Sequence, residues 1–94
     1  MPEGLKLTDV VSRAKDHLAT EVDSQFILMS IEQGVYCGLD DIGSDIWRRL
    51  DAPMSIARLC DVVAADYRGD RERITNDIVN LLTSLRDQRL IDVG

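Results

Sequence analysis

The chain has 94 residues, of which 45 % are hydrophobic and 30 % charged. This balance is typical of a soluble globular protein and excludes the disordered, collagen-like and coiled-coil classes. The formal net charge is −6, and acidic residues are spread along the whole chain, so no part of it forms a basic surface for nucleic acid or an anionic membrane. The length predicts a single domain spanning residues 1–94.

The sequence contains neither a secretory signal nor an apolar run close to the roughly 20 residues of a membrane span. We therefore expect a cytoplasmic protein that does not contact a membrane. Cys37 and Cys60 lie far apart and His17 is the only histidine, which is too few ligands for a zinc site and the wrong spacing for a redox pair. We predict two small buried thiols, with no metal and no cofactor.

Residues 1–16 carry little pattern, and we place them at the periphery of the domain, ending in a solvated connection at 13–16. Three short β-like segments follow at 18–22, 26–31 and 35–39, separated by turn residues. The middle segment is apolar on both faces apart from Ser30, which favours a central strand covered on both sides. The segments together predict a three-stranded antiparallel meander.

At Asp40 the hydrophobic period changes from two to that of a helix. Asp40 is a suitable N-cap, because its carboxylate can accept hydrogen bonds from backbone N–H groups two or three residues further on. Ile42, Ile46 and Leu50 follow at a spacing of four residues, with Trp47 alongside. This spacing predicts a first helix whose apolar stripe, including the only Trp, faces the core.

Two more helices are predicted, one from a Ser55 cap to Tyr67 and one starting at an Asp70 cap. Residues 90–93 then form either a terminal strand or a docked tail. The predicted fold class is α+β: a three-stranded antiparallel sheet followed by three helices on one of its faces, similar to a winged helix-turn-helix.

The residue patterns that normally indicate catalysis are missing from the sequence. His17 has no inferable Cys or Ser partner, and the glycines match neither a phosphate loop nor a dinucleotide fingerprint. The acidic trio Asp40, Asp41 and Asp45 resembles a metal cluster, but helix capping explains the first two and solvent exposure the third. The sequence therefore predicts a binding protein that is not an enzyme.

Two kinds of partner remain. A DNA regulator would use the third predicted helix, residues 70–89, but four arginines and four acids cancel there, whereas duplex binders gain much of their affinity by neutralising phosphates. The strand at 35–39 has no Pro or Lys to protect it, and an open edge strand can pair with an extended peptide. The pattern favours a peptide, with a winged-helix DNA-binding regulator as the alternative.

The strand-to-helix stretch also resembles a known family motif, the "G-x-Y-x-x-L-N/D-x-x-G-x-x-I-W" run of PqqD-like peptide-recognition elements. The residues that carry the resemblance are Gly34, Val35, Tyr36, Cys37, Gly38, Leu39 and Asp40, then Gly43, Ile46 and Trp47. The similarity extends over about residues 18–93, and it is greatest to the stand-alone leader-binding proteins of lasso-peptide biosynthesis.

The resemblance implies a non-catalytic protein that captures the leader of a ribosomally made precursor peptide and presents it to a leader peptidase. It implies a cleft between the third strand and the third helix, in which the leader adds as a strand. Carried over to this sequence, the peptide-binding residues of the strand are Val35, Tyr36, Cys37, Gly38 and Leu39. Helix phase gives Ile74, Asp77, Ile78 and Leu81 as the candidates for the helix wall, with a pure core role as the alternative for Ile74 and Ile78. A PqqD-type peptide chaperone for a radical SAM enzyme is a second alternative, and an open edge allows either a monomer or a strand-exchanged dimer.

Overall fold

The structure is a computed structural model and describes residues 4–94. The elements within this range are, in chain order, β1 (Val10–Arg13), β2 (His17–Val22), β3 (Gln25–Ser30), β4 (Val35–Gly38), α1 (Asp41–Arg49), β5 (Met54–Ser55), α2 (Ile56–Asp66), α3 (Arg71–Asp87) and β6 (Ile91–Val93). The strands form two antiparallel sheets, β2–β3–β4 and β5–β1–β6. The predicted α+β class, the meander and the three following helices are confirmed.

Tight local geometry shapes the meander. A two-residue turn joins β2 to β3, and both of its residues have positive φ, 53° at Asp23 and 68° at Ser24. This combination is a hairpin turn whose twist matches that of the flanking strands. Gly34 supplies the positive φ of 67° before β4. The hairpin turns fix the register in which β4 meets β3.

All three predicted helix caps are present. The Asp40 carboxylate accepts a hydrogen bond from the Gly43 backbone N–H at 2.7 Å, and Ser55 and Asp70 cap α2 and α3 in the same way. Trp47 is 1 % exposed, which confirms its place in the core. The prediction for Ile42 is wrong, because its side chain, in the first turn of α1, is 46 % exposed.

The placement of residues 1–16 at the periphery is also wrong for the described part, while residues 1–3 lie outside it. β1 is the central strand of the second sheet and pairs with β5 on one side and β6 on the other. Val11 is fully buried, and Arg13 reaches α1 instead of solvent. The sequence of β1 shows no alternating hydrophobic pattern, because Val11 is the one residue of this short strand that is fully buried.

The meander is covered on one face only, contrary to the prediction for its middle strand. Leu28 and Ser30 of β3 are fully buried beneath the helices, whereas Ile27, which precedes Leu28 and faces the opposite side, is 42 % exposed. The strand register places a set of apolar side chains on this outer face: Leu18, Val22, Ile27, Met29 and Tyr36. The apolar composition of β3 therefore reflects an unpartnered face and not a second covering layer.

The core is one cluster of buried side chains to which β1, β3, all three helices and β6 contribute. Cys60 is buried in it as predicted, whereas Cys37 on β4 is half-buried, and both thiols are free. The order β2–β3–β4 leaves β4 at the edge of its sheet.

Candidate functional site

β4 is an edge strand with one side open. It pairs with β3, and the sheet order places no strand of the described chain on its other side. The Leu39 N–H donates to the Phe26 carbonyl at 2.8 Å. Because bonded and non-bonded pairs alternate in an antiparallel ladder, Tyr36 and Gly38 direct their N–H and C=O groups away from β3. The open edge thus offers two donors and two acceptors to an added strand.

The five predicted strand residues divide by face. Tyr36 is 71 % exposed on the outer face, and Gly38, opposite Ile27, has no side chain there. Leu39 is buried, and Cys37 packs partly against the core. Val35 shares the inward side with Cys37 by register. The strand can therefore offer its backbone to a ligand while its inward side chains anchor it to the domain.

The four predicted helix residues converge on one cavity of about 190 Å³. Ile78 forms its base and is 1 % exposed; Ile74 and Leu81 are half-buried, and Asp77 is exposed at the surface. The strand residues 35–39 do not line the cavity, but Asp40, which follows them directly, does. The four helix residues therefore lie together around one cavity, and this cavity begins where the predicted strand residues 35–39 end.

Sequence reasoning missed the other walls of this cavity, which are Ile42, Gly43, Ile46, Val63 and Tyr67. The helical spacing predicts a core position for Ile42 and Ile46, and spacing does not distinguish a core position from a pocket wall. The exposure of the Ile42 side chain, which distinguishes it from a core residue, is visible only in the structure. Gly43 lies close to the helix cap, because a Cβ at this position would make a tight contact of 3.1 Å with the capping Asp40 oxygen.

Tyr67 is held in place by a chain of polar contacts. Its hydroxyl donates to Asp45 Oδ2 at 3.2 Å, and Arg49 Nε donates to the same oxygen at 3.1 Å. Arg49 also pairs with Asp66. Burial, together with the nearby Asp45 carboxylate, raises the pKa of the Tyr67 phenol because both disfavour the phenolate. The phenol therefore stays a hydrogen-bond donor throughout the neutral range.

The site has the chemistry of a binding surface. Within residues 4–94, no group of three or more His, Cys, Asp or Glu side chains is placed to hold a metal ion. None of the helices in this range is long and apolar enough to cross a membrane. An open backbone edge and an apolar cavity with two carboxylates at its mouth are features that bind an extended chain.

The amino-acid sequence matches one protein family. Residues 25–91 match the model of Coenzyme PQQ synthesis protein D (PqqD). The PqqA binding protein of Xanthomonas campestris pv. campestris (strain 8004) is 33 % identical over 67 residues, which cover 71 % of both chains. That of Xanthomonas euvesicatoria pv. vesicatoria (strain 85-10) is 31 % identical with the same coverage.

Solved structures share the fold. TbiB1 in complex with the TbiA(beta) leader peptide superposes with a TM-score of 0.78 at 26 % identity, covering 86 % of this chain and 94 % of TbiB1. The PqqD part of Methylobacterium extorquens PqqCD, described as a RiPP recognition element, gives 0.76 at 18 % identity and 94 % coverage of each chain. Lasso peptide synthetase B1 complexed with the leader peptide gives 0.73 at 24 % identity, covering 87 % of this chain and 96 % of the synthetase. With its motif, its fold and this match over most of its length, the chain belongs to the PqqD family.

Proposed function

We propose that this protein is a non-catalytic recognition element that captures the leader of a ribosomally synthesised precursor peptide by strand addition. The observation that carries the proposal is the open edge of β4, where Tyr36 and Gly38 present unpaired backbone groups. The peptide is then presented to a maturation enzyme, for which we propose a leader peptidase. Because one core cluster joins β1 to β6, residues 1–94 act as one recognition domain.

Backbone pairing supplies the general affinity. A leader strand that pairs with Tyr36 and Gly38 forms up to four hydrogen bonds, each with a net contribution of about 0.5–1.5 kcal/mol. These bonds carry no side-chain information, so the same edge accepts any extended peptide that lacks Pro at the paired positions. Ordering a flexible leader opposes this gain, and selectivity must come from side chains.

α3 supplies the apolar wall of the groove. Ile74 and Leu81 are half-buried and face the cavity together with Ile78. Leader side chains that cover them gain about 25 cal/mol for each Å² of apolar surface removed from water. Asp77 stands at the edge of this wall, where it disfavours an acidic leader residue. Backbone on one side and apolar side chains on the other define the proposed groove.

The comparisons support a peptide ligand over DNA. The relatives at 31–33 % identity are named for binding PqqA, and TbiB1, at 26 % identity, is solved with a leader peptide. The third helix has no net positive charge with which to neutralise phosphates. The resemblance to the lasso-type proteins favours a leader peptidase as the partner enzyme, and a radical SAM enzyme is the alternative that the PqqA-binding relatives suggest.

The test is isothermal titration with the leader of a precursor encoded beside this gene, using a matched pair of variants. Tyr36→Pro removes one N–H from the open edge and leaves pairing with β3 intact, because that N–H points away from β3. Tyr36→Ala keeps the N–H and removes the ring. We expect micromolar binding, a loss of about tenfold or more for Tyr36→Pro, and a smaller loss for Tyr36→Ala.

The helix wall is tested by Leu81→Asp, which places a charge on a half-buried position. Ile78 is unsuitable because its side chain belongs to the core. Arg71→Ala is the control, since it removes an exposed ion pair with Asp61 away from the cavity. We expect only Leu81→Asp to weaken leader binding while both variants remain folded by circular dichroism. Failure of the wild type to bind the leader, or equal binding by Tyr36→Pro and Tyr36→Ala, would overturn the proposal.

A further inference from the structure

β6 is a second strand with an open side. The order β5–β1–β6 places it at the end of its sheet, just as β4 lies at the end of the other sheet. Val10 and Gly94 exchange backbone hydrogen bonds in both directions, at 3.1 and 2.9 Å, and bonded and non-bonded pairs alternate along an antiparallel ladder. Ile91 and Val93 therefore direct their N–H and C=O groups away from β1, where the described chain places no further strand.

A groove follows this edge of β6. Its volume is about 670 Å³, and it is lined by Ile91, Asp92 and Val93, by the end of α3 and by residues 14–16 and 32–33. The groove is more than three times as large as the cavity of about 190 Å³ beside Asp40. None of the β4 residues 35–39 lines it. A leader paired with β4 therefore leaves this groove free for a second extended chain.

The charges in the groove indicate what kind of chain fits there. At its rim Glu32 pairs with Arg89, and Asp87 pairs with Arg86. Asp92, in the middle of β6, is exposed and takes part in no ion pair within residues 4–94. Opposite charges directly across from each other stabilise the pairing of two strands, and like charges oppose it. An added strand with a Lys or Arg across from Asp92 is therefore favoured.

Asp92 also disfavours a second copy of this chain as the occupant. In an antiparallel pair of β6 strands that uses all the outward backbone groups, Ile91 pairs with Val93 of the other copy, and the two Asp92 residues face each other as a non-bonded pair. Side chains lie closer together in such pairs, so two carboxylates would meet without a cation. The net charge of −6 on each chain adds to this repulsion. The edge is thus protected against self-pairing but open to a strand of a different protein.

The maturation enzyme is the protein that must bind while the leader is bound. Presentation requires separate surfaces for the leader and the enzyme, and β4 and β6 belong to different sheets joined by one core cluster. Resting on the proposed function, we infer that the β6 edge is a second strand-addition site, where an extended segment of the maturation enzyme pairs with Ile91 and Val93 and places a Lys or Arg across from Asp92. The leader and the enzyme then occupy one domain at the same time.

Amide hydrogen exchange followed by NMR tests this site directly. The leader and the maturation enzyme encoded beside this gene are added to the wild type separately and together. We expect the enzyme to slow exchange at the Ile91 and Val93 amides about tenfold or more, with or without leader, and the leader to slow exchange at Tyr36 and Gly38. Enzyme binding that leaves the amides of Ile91 and Val93 unprotected, or no enzyme binding at all, overturns the inference. Failure of the leader to protect Tyr36 and Gly38 counts only against the proposed function.

Matched variants separate strand pairing from folding. Val93→Pro removes one outward N–H, whereas Val93→Ala keeps it and shortens the same half-buried side chain. We expect Val93→Pro to bind the enzyme about fivefold more weakly than Val93→Ala, or worse, with leader affinity unchanged in both. Thermal unfolding confirms that both variants are folded. Equal enzyme affinity of the two would contradict the site.

The role of Asp92 has its own test. Asp92→Lys should weaken enzyme binding about fivefold, and Asp92→Asn, which removes the charge without reversing it, should weaken it less. Full enzyme affinity of Asp92→Lys would contradict the proposed charge pairing. Sedimentation of the wild type without enzyme should show a monomer. A dimer in which the Ile91 and Val93 amides are protected would assign the β6 edge to a second copy and overturn the inference.

Discussion

The side chain of Arg13 in β1 contacts both the backbone and the indole ring of Trp47 in α1. Its Nη2 donates to the Trp47 carbonyl oxygen at 2.7 Å, and its Cζ lies 4.9 Å from the centroid of the indole ring. The carbonyl belongs to the last turn of α1, where a cation is favoured by the helix dipole. One side chain thus joins the N-terminal strand to the core tryptophan by a charged hydrogen bond and a cation–π contact.

Arg13→Ala should lower the free energy of unfolding by about 2 kcal/mol, because a charge-assisted hydrogen bond and a cation–π contact are both lost. Urea denaturation measures the change. Lys15→Ala, at an exposed position on the following loop, is the matched control and should stay within about 0.5 kcal/mol of the wild type. Equal effects of the two substitutions would show that the Arg13 contacts add no stability.

Val11 and Val10 are neighbours in β1 with opposite burial. Val11 is fully buried and Val10 is 40 % exposed. Val11→Ala should therefore destabilise the protein by about 2 kcal/mol through lost burial and a residual cavity, whereas Val10→Ala should cost much less. Thermal unfolding of both variants is the measurement. A peripheral N-terminal strand would instead give two similar, small effects.

In the β2–β3 turn, Ser24 adopts a backbone conformation that a glycine would adopt at lower steric cost. Ser24 has a φ of 68°, a left-handed conformation that glycine adopts without the steric cost of a Cβ atom. Ser24→Gly should raise the free energy of unfolding by about 0.5 kcal/mol after the entropy of the unfolded glycine is counted. Ser24→Ala retains the Cβ and should bring no gain. A loss of stability in Ser24→Gly would indicate that the serine side chain itself stabilises the turn.

The raised pKa of Tyr67 predicts a loss of stability in alkali. Burial and then Asp45 raise the phenol pKa in the folded state, so between about pH 10, where an unfolded tyrosine ionises, and the folded pKa the native state binds more protons than the unfolded state. The contribution of Tyr67 to stability is therefore constant below this window and falls as the pH rises through it. Urea midpoints at increasing pH should show this fall in the wild type but a smaller one in Tyr67→Phe. Tyr36 is 71 % exposed and serves as the control position.

Capping residues and hydrophobic periods predicted the meander, the helices and the strand-to-helix junction at Asp40, because these depend on local chemistry. The site was only partly predictable. The open edge of β4 followed from the absence of protecting residues, and the helix set followed from phase together with the family resemblance. The cavity walls contributed by Val63 and Tyr67 could not be found, because nothing local tells a residue which distant helix it will face.

The errors share one physical cause. β1 buries only Val11 fully, so it lacks the alternation that marks a strand, and its two partners come from much later in the chain. On the outer face of the meander the error is the reverse, because apolar residues there predict burial that does not occur. Ile27 and Leu18 are apolar but exposed. Residue type predicts burial only when the rest of the fold supplies a partner.

The pairing of β1 with β6 also sets an order of events during synthesis. The β2–β3–β4 meander needs only contacts between neighbouring segments, which form quickly. The second sheet joins Val11 to Val93 and must wait several seconds, at ribosomal rates, for the end of α3 and β6 to emerge. During that interval the nascent chain displays an open strand edge and an apolar face without the helix that completes the groove. The groove is thus completed only after β1 has paired with β6.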